Sequence, residues 1–493
     1  MKHCQPRSPS PFSNPRALYA VSAALCAVFL FYYLQQRQTF ARSERPANFP
    51  ETQRSADVTA ILLNWARLDN VVQIVTGLCE ETLATVIKEV VVFNNNYSQP
   101  LLDEDFVTCN CSHRLRIHNS PENLYFQARF IACSNASTAY CFIQDDDYLI
   151  KPEVIRSLRA RAHADDLFVL PPAEVLSSHL LSINSPSTNV TFSFSWLGYG
   201  ALILRSHAES FLSLLARLNA SEEETKMADN YYSILANKIP EIWTSAPIAL
   251  DGGGAFTVGD EGAARNRKHI AAAANYLDAI ASNRNPDWPY VSLDSSQTNP
   301  QIERAPCLER SCVLESTIQS LPDLFVTGLH TTAREIFSRQ EQLSMKLTEE
   351  FTSNYMNFPL SHAVDADRET SYRSAWNAVE GDMLVLDAFD LAQMNWTAIK
   401  WYWIVDTGTA KALRASTYSH SSDKQTWVKS PTIVSCTTLS SQDIDPSFDV
   451  SECHVSMAGN LDKARYFRLQ LGESNATCPW LIYETWLRDG RYK

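Results

Sequence analysis

Three consecutive acids, Asp145, Asp146 and Asp147, follow directly on the apolar run Tyr140 to Ile143, with Gln144 between. A short apolar run of this kind reads as a buried strand, which puts the acids at its C-terminal edge. Side chains alternate along a strand, so Asp145 and Asp147 are expected on one side and Asp146 on the other. Two carboxylates on one side offer hard oxygen donors to a divalent cation, Mn2+ or Mg2+. A solvated acidic turn is the plain alternative, and the buried lead-in argues against it. A cation held here would neutralise the charge that builds up on a departing nucleoside diphosphate, which is the chemistry of sugar transfer.

The elements that must position the acids can be read outward from them. Upstream, Val58 to Leu63 and Val90 to Phe93 are strand-like, while Asn70 to Leu78 and Asn123 to Ala136 are helical. Downstream, Pro152 suits the first turn of a helix. Strand-like runs recur at Leu167 to Leu170 and Tyr199 to Leu204, with a helix expected over Met227 to Asn237. The βαβ rhythm predicts a mostly parallel α/β sheet with helices on both faces and a ligand crevice at the strand C-terminal ends. Five glycines between Gly252 and Gly262 fit either a mobile loop over bound nucleotide or a plain flexible connection, and no P-loop pattern is present.

The chain has 493 residues and a formal charge of −13, room for two or three domains and the wrong sign for a nucleic-acid partner. Residues Ala17 to Leu34 carry no charge and as a helix would reach about 27 Å, nearly a bilayer core. They read as a signal-anchor helix, with 1–16 a cytoplasmic tail and 35–55 a stem. Seven N-x-S/T sequons, at Asn96, Asn110, Asn135, Asn189, Asn219, Asn395 and Asn475, lie beyond this segment, as do ten of the twelve cysteines. Both point to a C-terminal body in an oxidising lumen. Cys109 and Cys111, Cys133 and Cys141, and Cys307 and Cys312 lie close together without zinc-ribbon spacing, so bridges are expected, with connectivity left open.

Motif by motif, residues 56–282 resemble the GT-A fold glycosyltransferases, and within them the exostosin-like family. AILLNWARLDN is similar to that family's opening strand, VVVFNNN to its nucleoside-contacting strand end, QARF to its Asn-Asn-Arg-Phe, and FIQDDDYLI to its metal motif. LGYGALIL resembles the acceptor-side strand, MADNYY the segment with the catalytic-site aspartate, and RNRKHI the basic tail that closes on diphosphate. The resemblance implies a UDP-sugar donor and a retaining hexosyl or N-acetylhexosaminyl transfer. It implies that Asn64, Arg67, Asn94 and Asn95 touch the nucleoside and that Arg129 reaches the donor. Asp145 and Asp147 would ligate metal, with Asp147 the stronger ligand and Asp146 secondary in the donor site. Asp229 would orient the acceptor hydroxyl or stabilise positive charge on the sugar. Arg265, Arg267 and Lys268 would meet diphosphate oxygens, and His269 is a further candidate ligand. The family's Asn-Asn before Arg-Phe is Gln127-Ala128 here, and its Glu-Asp pair is Ala228-Asp229.

Residues 283–350, punctuated by prolines, read as a linker that includes a helix near Thr332 to Glu350. From 351 to 493, AVDADRETSYRS, GDMLVLDAF, STYSHSSDKQTWV, ARYFRLQL and IYETWL resemble the discoidin (coagulation factor type C) β-sandwich. Its tryptophans at 376, 401, 403, 427 and 486 are expected as core and rim packing. Asp365 and Asp367 are candidates to hold calcium in a turn. The combined expectation is a single-pass type II membrane glycosyltransferase of the Golgi or endoplasmic reticulum, acting on a glycan or glycoprotein acceptor. The alternative is a catalytically silent, lectin-like membrane glycoprotein working through the sandwich.

Overall fold

The computed structural model describes residues 55–489 apart from 112, 164–166, 177–181, 186–189, 253–258, 284–287, 293–301, 319–331, 348, 390–397, 431–432, 440–448, 458–460, 462 and 473–478. The expected anchor at 17–34 lies outside these residues. Among the described residues no helix is long and apolar enough to cross a membrane.

The N-terminal half runs β1 (Val58–Asn64), α1 (Leu68–Leu78), β2 (Ile87–Asn94), β3 (Leu115–Asn119), α2 (Gln127–Ser134), β4 (Tyr140–Gln144), β5 (Tyr148–Leu149) and α3 (Pro152–Arg161). It continues through β6 (Phe168–Val169), β7 (Ser182–Ser185), β8 (Val190–Ser193), β9 (Ala201–Leu204), α4 (Arg205–Arg217), α5 (Glu222–Lys226), α6 (Asp229–Ala236), β10 (Glu241–Ile242), β11 (Ile248–Ala249) and α7 (Asp260–Ser282). Seven strands form one sheet in the order β10-β6-β9-β4-β1-β2-β3. β1 pairs in parallel with both β2 and β4, β2 with β3, and β6 with β10, while β9 is antiparallel to β4 and β6. The mostly parallel α/β expectation therefore holds.

Alternation along β1 and β2 builds two cores, one on each face of the sheet. Ile61, Val91, Phe93 and Ile143 pack with Phe130 of α2, Phe211 of α4 and Tyr231 of α6. Ala60, Leu62, Val90 and Val92 turn the other way, against Val71 and Ile74 of α1 and Leu158 of α3. Because β1, β2 and β4 run in parallel and in register, Asn64, Asn94 and the acids after Gln144 emerge together at one edge.

The C-terminal half has β12 (Glu303–Pro306), β13 (Cys312–Ser316), α8 (Ala333–Ser344), α9 (Glu349–Asn357), β14 (Tyr372–Asn377), β15 (Met383–Ala388), β16 (Ile399–Asp406), α10 (Thr407–Ala415), β17 (Thr417–Ser421), β18 (Val428–Ser430), β19 (Val434–Thr438), β20 (Val450–Met457), β21 (Tyr466–Gln470) and β22 (Pro479–Asp489). Two antiparallel sheets result, β12-β13-β15-β21-β17-β18 and β14-β22-β16-β20-β19. Trp401 and Trp403 are fully buried between them with Tyr418 and Phe467. Trp486 stacks on Tyr402 and Trp427 lies under Arg468, while the Trp376 side chain is outside the described set.

Residues 303–316, placed by sequence inside a linker, form a hairpin at the edge of the first sheet, antiparallel to β15. That hairpin also ties the halves together. Val313 and Phe389 belong to the same apolar core as α1 and α3. Arg161 at the end of α3 pairs with Asp387 at 2.9 Å and Glu315 at 2.5 Å, and Arg304, Arg465 and Lys424 join the cluster. Buried charges persist only when paired this closely, so the contact is a built interface.

The described cysteines pair as Cys79–Cys111, Cys133–Cys141, Cys307–Cys312 and Cys436–Cys453. Two of the neighbouring pairs bridge as expected. Cys111 instead reaches back to Cys79 at the end of α1, leaving Cys109 as a buried thiol.

Candidate active site

Strand β4 ends at Gln144, and Asp146 and Asp147 lie in a turn before β5. The alternation expected for the triplet therefore stops one residue too early to sort the acids. Asp146 and Asp147 both face Arg67, whose Nη1 is 2.6 Å from Asp146 Oδ1 and 3.9 Å from Asp147 Oδ2. Asp145 takes a different partner: its Oδ1 is 2.6 Å from Arg129 Nη2.

Burial pushes the Asp147 carboxyl up to about 6, with Asp145 and Asp146 adding to the rise and Arg67 opposing it. Asp146 is raised as well, by burial first, with Arg67 pulling it back. The acids repel one another and two arginines compensate them only in part. A hard divalent cation is one ligand that could relieve such repulsion. Among the described residues, no three His, Cys, Asp or Glu side chains form a complete metal cage by themselves.

Two glycines allow this packing. A Cβ at Gly198 would lie 2.1 Å from Asp145 Oδ2, while the Gly198 carbonyl accepts the Asp145 N–H at 2.8 Å. Gly252, at φ +136°, leaves room for the Arg67 side chain, and its carbonyl accepts from Arg67 Nε at 3.2 Å.

Arg129, expected to reach the donor, has no exposed surface and lies between Asp145 and Asp229, with its Nη1 2.9 Å from Asp229 Oδ2. Asp229 opens α6 and is itself buried. Burial pushes its carboxyl up to about 7 against the pull of Arg129, and its Oδ1 has no hydrogen-bond partner. The sequence thus brings a carboxylate of the triplet and a distant acid onto opposite sides of one guanidinium.

Asn64, Asn94 and Asn95 stand together at the strand ends, mostly engaged with the scaffold. Asn64 Nδ2 donates to Asn94 Oδ1 at 2.8 Å, and Asn94 Nδ2 donates to Asn119 Oδ1 at 2.9 Å. Asn95 holds Tyr125 and Leu124 through its amide. Asn64 Oδ1 has no hydrogen-bond partner.

The basic run falls within α7, a helix the sequence reading did not anticipate. Arg267 faces Glu341 of α8 at 3.8 Å and Lys268 pairs with Glu223 at 2.8 Å, with Arg265 on the same helix. His269 is buried, with its Nδ1 2.8 Å from the Tyr231 hydroxyl and its Nε2 3.6 Å from Glu223. Arg267 and Lys268 are therefore engaged by acidic side chains of neighbouring helices.

Sequence reasoning missed Asn70, whose Nδ2 donates to the carbonyls of Asp146 at 2.9 Å and Asp251 at 2.6 Å. Its position in the first turn of α1, three residues after the N-cap Arg67, was an available signal.

No family model matches the chain, and no curated protein does. Solved structures similar to it include a mannosyltransferase from Pyrobaculum calidifontis in complex with GDP-Man and Mn2+ (13% identity, 68% of this chain and 88% of that one, TM-score 0.32). Mannosyl-3-phosphoglycerate synthase from Rubrobacter xylanophilus is similar at 10% identity over 52% and 89% of the two chains, TM-score 0.30. Glucosyl-3-phosphoglycerate synthase from Mycobacterium tuberculosis is similar at 12% identity over 50% and 94%, TM-score 0.31. These superpositions are too loose to transfer a function, so the site's own geometry has to support one.

Proposed function

We propose that the chain is a glycosyltransferase that moves a sugar from a nucleotide-sugar donor, a UDP-sugar, onto a hydroxyl of a glycan or glycoprotein. The observation that carries this reading is the Asp145-Arg129-Asp229 arrangement at the C-terminal edge of a parallel sheet, beside Asp146 and Asp147. Ligands of open α/β sheets sit at that edge. An anionic cluster there suits a divalent cation, Mn2+ or Mg2+, which when bound would neutralise charge on the leaving diphosphate.

Each residue then has a task. Arg67 and Asn70 brace the turn that carries the acids. Arg129 fixes Asp145 and Asp229 relative to each other. Asp229, as a carboxylate, orients the acceptor hydroxyl or steadies positive charge on the sugar as its bond to diphosphate breaks. Arg265 and Arg267 would meet the diphosphate only after leaving their present surroundings on α7. Stereochemical retention, a type II anchor at 17–34 and a lumenal site in the Golgi or endoplasmic reticulum belong to the same proposal. Support for the lumen comes from the four cysteine pairs of the body. The two-sheet unit is proposed to be discoidin-like.

The test is calorimetric UDP binding and UDP-sugar hydrolysis by the full chain, with and without Mn2+. Metal-dependent binding that disappears in Asp147→Ala is expected. A wild-type protein that neither binds UDP nor hydrolyses any UDP-sugar in the presence of Mn2+ would sink the reading.

A further inference from the structure

Two tyrosines flank the acidic turn, and neither figures in the donor chemistry above. Tyr148 follows Asp147 directly and opens β5, which pairs with β11 in a small separate sheet. Tyr199 follows Gly198, the residue whose backbone closes on Asp145. Their rings are 5.0 Å apart between centroids with a 52° tilt, and their hydroxyls are hydrogen-bonded to each other. Both side chains are only partly buried.

The surroundings are polar and acidic. Asp147 and Glu174 both lie close enough to act electrostatically on the two phenols. Glu174 is exposed, so its carboxylate is open to a ligand's hydroxyls. Two partly exposed aromatic rings with phenol hydroxyls and a nearby carboxylate offer one apolar wall and several hydrogen-bonding groups.

That combination matches a pyranose, which has an apolar C–H face and a rim of hydroxyls. Aromatic rings supply rigid apolar area at low entropic cost, and a few placed polar groups fix orientation. The pair also lies on the β5 and β9 side of the triplet, away from the asparagine cluster at the ends of β1 and β2. A ring held by Tyr148 and Tyr199 would stand next to the turn that carries Asp147.

We infer that Tyr148 and Tyr199, with Glu174, form a subsite for a neutral sugar ring, the acceptor side of the site. This deepens the glycosyltransferase reading and rests on it for the word acceptor. The sugar-binding claim stands by itself.

The test uses the full chain and a panel of methyl β-glycosides of galactose, glucose, xylose and N-acetylglucosamine. Titration calorimetry gives affinity, and saturation-transfer NMR with irradiation of aromatic protons shows which face of the sugar lies on a ring. At least one glycoside is expected to bind wild type and to receive saturation mainly at its axial C–H face. Tyr148→Leu and Tyr199→Leu are expected to weaken that binding tenfold or more, while UDP-sugar hydrolysis in water changes less than threefold. The NMR readout on the unmodified protein holds even where a Leu variant does not fold. Glycoside binding that depends on the tyrosines in a protein without UDP-sugar hydrolysis supports the subsite and removes the transferase reading. Absence of binding by every glycoside, no transfer from aromatic protons, or unchanged affinity in folded Leu variants overturns the inference.

Discussion

Arg129 and Asp229 form a buried ion pair, 2.9 Å apart, and the same guanidinium holds Asp145 at 2.6 Å from its other nitrogen. Arg129 has no exposed surface. Its removal leaves Asp229 buried without a counter-charge, and breaking such pairs typically costs about 3–5 kcal/mol. Arg129→Ala should therefore lower urea-unfolding stability by that order. Arg129→Lys, with a point charge in place of a fork, should recover only part of it. A wild-type midpoint in Arg129→Ala would remove the bridge from the account.

Gly198 sets the position of Asp145. A methyl group added there would meet Asp145 Oδ2 at 2.1 Å, closer than any contact tolerates, so the carboxylate or the turn must shift. Gly198→Ala is expected to weaken Mn2+-dependent UDP binding at least tenfold in calorimetry. Affinity within twofold of wild type would mean that the position of Asp145 is unimportant.

How much of this was legible in the sequence depends on range. The strand before the triplet and the edge it shares with Asn64 and Asn94 followed from apolar runs, because the parallel sheet is built from local segments with strong patterns. The pairing of Arg129 was not legible because its two partners lie 16 and 100 positions away, and no local pattern records a pairing at that distance. The sorting of Asp145 from Asp146 failed because alternation ends where the strand ends, at Gln144. The hairpin at 303–316 was hidden among prolines, since its strands owe their existence to β15, some seventy residues on. The same holds for α7, where a glycine-rich approach masked a long alanine-rich helix.

Asp229 predicts a pH profile. Burial raises its carboxyl to about 7, and its proposed role needs the carboxylate. The active fraction therefore grows as pH rises, so kcat for UDP-sugar hydrolysis should climb through a midpoint near 7. Asp229→Asn should be slow and lose that limb. A profile in Asp229→Asn that keeps the same limb would assign the titration to another group.

The contact between the halves predicts shared stability. Glu315 and Asp387 are nearly inaccessible and are neutralised by Arg161, Arg304, Lys424 and Arg465. Glu315→Ala leaves several cations uncompensated, a loss of roughly 3–5 kcal/mol. Calorimetry should show the melting temperature of the α/β half falling together with that of the sandwich. For the same reason, a chain ending after Ser282 exposes the core around Val58 and Leu158 where Val313 and Phe389 pack, and should be poorly soluble. Two independent transitions, with only the sandwich affected by Glu315→Ala, would show the halves to be merely tethered.

Glu484 gives the calcium expectation a sharper form. The turn at Asp365 is well knit: Asp365 accepts from the Asp367 N–H at 3.0 Å and from the Thr370 hydroxyl at 2.8 Å. Glu484 approaches from β22, and its Oε2 is buried without a hydrogen-bond partner. Burial first, then the nearby Asp365 charge, push Glu484 up to about 8. Between the ordinary glutamate value and that pH, the folded chain keeps a proton that the unfolded chain has lost. Stability is then full below the ordinary value and falls as pH rises toward 8. Glu484→Gln should remove that share of the decline, measured as the difference in melting temperature between variant and wild type at pH 5 and pH 8. A cation accepted by Asp365 and Glu484 would act in place of the proton, so millimolar Ca2+ should raise the wild-type melting temperature more at pH 8 than at pH 5, and should do little for Glu484→Gln. An equal effect of Ca2+ on both proteins would place any calcium elsewhere and leave Glu484 as a carboxylic acid held neutral by its surroundings.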